Sequence, residues 1–106
     1  MAHVTVSLLD SLKLGDFYFT QDAAALARKY IAEGLYESVC ELDLPYEGEE
    51  AAEEMFEMTN NPMRIDRRSR YGNARSVSVG DLVAVDGTIY VCRPTGWIVV
   101  DMTVEA

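Results

Sequence analysis

Few residues in this 106-residue chain could do chemistry, and their spacing argues against most kinds of it. The single histidine, His3, stands among Val4, Thr5 and Val6 in an alternating pattern, which places it on the polar side of a strand. A transition-metal site needs further ligands at short spacing, and no CxxC, HxxxH or HxH occurs. A serine hydrolase would have to use His3 as its base, with no G-x-S-x-G elbow beside it. The glycines stand singly at turns, so no phosphate-cradling loop is formed. Cys40 and Cys92 lie far apart, each in an apolar strand pattern, and are expected to be buried free thiols. No catalytic residue, metal ligand or cofactor is expected, and the chain reads as a non-enzyme.

The remaining candidates are charges. Eight of the eighteen acids fall between Glu41 and Glu57, and five of the nine bases fall between Arg64 and Arg75. The formal net charge of −9 opposes general affinity for nucleic acid or an anionic membrane and favours basic partners. Glu49, Glu50, Glu53 and Glu57 would share the outer face of a helix. That face could be an ordinary solvated surface, a contact for a basic protein, or a mimic of DNA phosphates. Arg64, Arg67, Arg68 and Arg70 beside Tyr71 suit phosphate contact and base stacking. The competing expectation is that these arginines fold back on the acidic helix as surface ion pairs, each worth a few tenths of a kcal/mol. Arg75, beside Ser76, is expected to brace a turn by bonding backbone carbonyls.

The elements that must position these residues follow from periodicity. Val4, Val6 and Leu8 alternate with polar neighbours as a half-buried strand. Ser11 to Phe19 is a connection with Phe17 and Phe19 as possible anchors, and Thr20 could cap a helix from Ala23 to Ile31 that ends at Gly34. Leu35 to Leu44 is a second strand, with Tyr36, Ser38, Cys40, Leu42 and Leu44 expected on one face. The strand-helix-strand order predicts a right-handed crossover and a parallel pair. A second helix spans Gly48 to Asn60, stopped by Asn61-Pro62. Met63 to Ala74 reads as a loop, with Met63 and Ile65 available to the core. Asp86-Gly87 is a two-residue hairpin signal because both central positions need positive φ. It joins Leu82–Val85 to Ile89–Cys92, and Pro94-Thr95-Gly96 turns the chain into Trp97–Val100, where Trp97 and Tyr90 should pack over the sheet. The expected architecture is a single α+β domain, a mixed sheet of about five strands with two helices on one face and a C-terminal β-meander.

Met55-Phe56, then Asn61-Pro62, then Arg75-Ser76-Val77-Ser78-Val79-Gly80-Asp81-Leu82-Val83 resemble the YodL-like domain family. Gly87-Thr88-Ile89-Tyr90 and Gly96-Trp97 stand where that family has Gly-x-x-Tyr and Gly-Phe. The likeness covers about Ala52 to Val100. Gly80 stands where the family often has Ser, and Asn73-Ala74 replaces a Gly. The resemblance implies an accessory module of phages, conjugative plasmids and related mobile elements, acting on a host process and without established catalytic residues.

The resulting expectation is a small protein-binding module whose surface is the charged region from Glu49 to Arg70 and whose partner could be a basic host protein. A nucleic-acid-binding accessory using the basic segment is the alternative, and an exposed edge strand would allow a homodimer. The start of the chain shows no basic n-region, long apolar run or small-residue cleavage site, so a cytoplasmic protein without a membrane anchor is expected.

Overall fold

Residues 1–103 are described by a computed structural model, residues 64–66 through their backbone alone. The elements are β1 (Ala2–Leu9), α1 (Ala23–Ala32), β2 (Tyr36–Leu44), α2 (Gly48–Asn60), α3 (Ile65–Arg68), β3 (Leu82–Val85), β4 (Thr88–Cys92) and β5 (Trp97–Val100). Two 3-10 segments, Ser11–Tyr18 and Pro62–Arg64, lie between them. The strands form one sheet in the order β2-β1-β3-β4-β5, so the α+β class and the C-terminal meander are as expected. The hairpin at Asp86-Gly87 has φ of +49° and +87°, as a primed turn requires.

The sheet is not mixed: each neighbouring pair, β1 with β2 included, is antiparallel. The segment between β1 and β2 is an excursion closed at its neck, where the Asp10 amide donates to the Leu35 carbonyl at 3.0 Å. The chain therefore re-enters the sheet at the end it left. Gly34, at φ +72°, makes that return possible. The Leu35 amide reaches back to the Tyr30 carbonyl and the Gly34 amide to the Ile31 carbonyl, a paired closure of the helix end. At the other end of α1 the cap is Asp22 rather than Thr20, its side chain accepting from the Ala25 amide at 3.0 Å.

The two main helices cover opposite faces, not one. Ala51, Ala52, Met55 and Met58 of α2 pack on Val4, Val6, Val83 and Val85. Ala23, Ala27 and Tyr30 of α1 pack on Leu82, Val91 and Val100, whose side chains point the other way. The reason is that β3, β4 and β5 are apolar on both sides and need cover on both. Burying one valine of this kind contributes about 1.5–3 kcal/mol, so neither face can be left wet. The half of the α1-side face carrying His3, Thr5 and Ser7 is polar and stays open.

β2 also departs from simple alternation. Val6 pairs with Cys40 and Ser7 with Ser38, so Val39 is an extra residue, a β-bulge. Cys40, Leu42 and Leu44 consequently share the α2 side, while Tyr36 and Ser38 lie on the α1 side. Phe17 is a core anchor, its ring edge-on to Tyr30 with centroids 6.0 Å apart, whereas Phe19 and Met63 are almost fully exposed. The side chain of Ile65 lies outside the described residues.

Candidate functional site

Helix α2 carries the acidic candidates. Glu49 and Glu50 occupy its first turn, where carboxylates suit the positive end of the helix dipole, and both are exposed. Among the described residues neither makes an ion pair. Glu53, a turn further on, accepts from the Trp97 indole N–H at 2.8 Å and ties α2 to β5. Glu57 accepts from the Asn61 side-chain amide at 3.1 Å.

The basic segment folds back, mostly onto carbonyls. Arg67 pairs with Glu54 at 2.9 Å; the glutamate is buried and the arginine largely exposed. Arg68 donates to the carbonyls of Thr59 and Ala74, at 3.2 and 3.0 Å, and lies 5.4 Å from the centre of the Tyr71 ring. At Thr59 it thereby supplies a donor to one of the last carbonyls of α2, which has none within the helix. Arg70 donates to the Asp43 carbonyl on β2 at 2.9 Å. Tyr71 is a core residue, 3% exposed, with its hydroxyl donating to the Arg75 carbonyl, so it has no face for a stacked base. The side chain of Arg64 lies outside the described residues. The structure thus places Glu49 and Glu50 together on an outer surface, and distributes Arg67, Arg68 and Arg70 among three different anchor points.

The most polar buried cluster was not legible as such. Asp81, wholly buried, accepts from the amides of Leu9 and Ser78 at 2.8 and 2.7 Å. Arg75 grips it with both terminal nitrogens at 2.6 and 2.9 Å, and also donates to the carbonyls of Leu9 and Ser76. Arg75 does bond carbonyls, as expected, but its ion pair is additional. The only sequence signal is an aspartate opening an apolar strand six residues after an arginine. A carboxylate has about four lone-pair positions, and four donors occupy them here. The cluster is a tether between β1 and β3 with no acceptor left for a substrate.

His3 lies between Glu41 and Asp43, at 2.9 and 3.2 Å, on the open polar face. These pairs form only because β1 and β2 run antiparallel, with Thr5 opposite Glu41 and His3 opposite Asp43. Hydrogen bonds to Glu41 and then Asp43 raise the imidazole above its ordinary value of 6.5. A raised folded-state value means that the pairing stabilises the fold fully below pH 6.5 and is lost as pH rises through the higher value. NMR titration of this sole histidine is expected to give a pKa above 6.5, with urea midpoints declining across that window in the parent chain and not in His3→Gln. The thiols are poor nucleophiles: burial pushes Cys40 up and Cys92 to about 12. Among the described residues no group of three His, Cys, Asp or Glu could hold a metal.

One groove, of about 500 Å³, opens beside the start of β2, lined by apolar Leu8, Leu35 and Val39 and by polar Asp10, Glu37 and Arg75. No helix among the described residues is long and apolar enough to cross a membrane. The chain matches no protein-family model, no curated protein and no solved structure.

Proposed function

We propose that this protein is a small non-enzymatic module that binds a basic protein partner through its acidic surface. The observation that carries the reading is the unequal use of its charges. Arg68 and Arg70 are spent on backbone carbonyls rather than on the outer carboxylates of α2, so Glu49 and Glu50 keep their field. A net charge of −9 then steers basic partners toward the molecule. The resemblance to the YodL-like family supports a setting in phages or plasmids and a role against a host protein, acting in the cytoplasm.

Binding to a basic partner predicts specific capture of a protein from host extract that is lost with Glu49→Lys/Glu50→Lys. Both positions are exposed, so the variant should fold normally. Capture unchanged by this reversal would remove α2 from the surface. Release of the captured protein by competing duplex DNA would identify the acidic face as a DNA mimic. No anisotropy change with a labelled duplex at low salt is expected for the protein alone. Tight, salt-sensitive binding to that duplex would instead assign it to nucleic acid.

A further inference from the structure

We infer that the edge of β2 from Tyr36 to Glu41 takes up an extended, basic segment of another protein as a sixth strand, with a cationic side chain lying in the adjoining groove. This rests on the reading of the protein as a binder of basic partners and adds a second contact, on β2, to the α2 surface of that reading.

The topology, the backbone bonding and the closure at Asp43 all bear on this edge. β2 is the outermost strand, paired only with β1. The Leu35 carbonyl points inward, to the Asp10 amide, so by alternation the backbone groups of Tyr36 and Ser38 point outward. Among the described residues no backbone hydrogen bond reaches those outward groups. The far end of the edge is closed, because Arg70 holds the Asp43 carbonyl at 2.9 Å. The available length is therefore short and bounded, which suits a defined peptide rather than open-ended sheet growth.

The groove then provides a side-chain pocket beside the exposed backbone, the arrangement by which strand addition gains specificity. Leu8, Leu35 and Val39 would pack against an aliphatic stem, and Asp10 and Glu37 would receive a charged head. Arg75 also lines the groove, but its charge is matched by Asp81 at 2.6 Å and does not repel a cation strongly. A second copy of this chain is a poorer occupant. Pairing β2 with β2 would bring Glu37, Glu41 and Asp43 of both copies along one seam, like charge against like.

The test uses the full chain, 15N-labelled, with a short peptide alternating lysine and valine and the same peptide N-methylated along its backbone. The unmodified peptide is expected to shift the amide signals of Asp10 and of Tyr36 to Glu41. It should also slow hydrogen exchange at the Tyr36 and Ser38 amides by about tenfold. N-methylation, which removes the ladder donors and keeps the charge, should weaken binding at least about tenfold, as should Glu37→Lys. Equal binding of the two peptides, or shifts confined to Glu49–Glu53, would overturn strand addition while leaving an acidic binding surface in place. Absence of any shift overturns it as well. Concentration-dependent shifts at β2 without peptide would give the edge to a second copy and also refute the assignment.

Discussion

Asp81→Ala is expected to cost about 3–5 kcal/mol of folding stability, because it leaves a partly buried guanidinium without its counter-charge. The loss has several sources in one place. Arg75 would face an apolar methyl, and the amides of Leu9 and Ser78 would lose their acceptor. Each buried amide left in that state costs about 1–3 kcal/mol before relaxation. For a domain of this size the melting temperature should fall by more than about 12 °C. Asp81→Asn, which keeps the shape and loses the charge, should fall between parent and alanine. In Arg75→Met/Asp81→Ala the orphaned charge is gone as well, so the double variant should be more stable than the sum of the single losses by about 1–2 kcal/mol. Urea unfolding of the parent, Asp81→Ala, Asp81→Asn, Arg75→Met and the double variant measures each term. A loss under about 1 kcal/mol for Asp81→Ala would mean that the β1–β3 tether does not support the sheet.

Gly80→Ala is expected to cost about 3 kcal/mol, from backbone strain and overpacking together. Gly80 has φ of +98°, and a Cβ built there would stand 2.7 Å from Cδ2 of Phe17. Phe17 cannot easily retreat, since it is buried against Tyr30. Gly87→Ala offers the comparison, because its φ is +87° but nothing lies within 4 Å. That variant should lose only the backbone part, about 1 kcal/mol. Adding Phe17→Ala to each background separates the two contributions. The added cost should be clearly smaller in Gly80→Ala than in the parent, where the ring packs without a clash. Equal losses for Gly80→Ala and Gly87→Ala would show that the ring contact is easily relieved.

Both sites lie in the stretch from Arg75 to Asp81, whose turn chemistry was readable in the residues although its energetic weight was not. Gly80 could be assigned to a turn, yet its closeness to Phe17 depends on a ring more than sixty residues earlier. Asp81 could be placed at the head of a strand, yet four donors drawn from Leu9, Arg75 and Ser78 meet only in the folded chain. The same division runs through the candidate surface. The segregation of acids into α2 and bases after it was plain from the chain. That Arg68 and Arg70 would bond carbonyls of α2 and β2, rather than glutamates, follows from which helix end and strand edge came within reach. Tyr71, promising as an aromatic among arginines, became core because it packs in the same buried cluster as Met55 and Met58 of α2.

The residues by themselves determined what local sterics and short-range periodicity can decide: the helix limits at Gly34 and Asn60, the primed turn at Asp86-Gly87, the three strands of the meander, and a chain rich in acid. Only the tertiary structure decided the antiparallel seating of β2, the opposite faces of α1 and α2, the bulge at Val39 and the pairing of His3 with Glu41 and Asp43. A parallel crossover and a closed excursion use the same strand-helix-strand order. The alternatives separate only when distant apolar faces compete for cover. Here the two-sided apolar character of β3 to β5 drew one helix to each face.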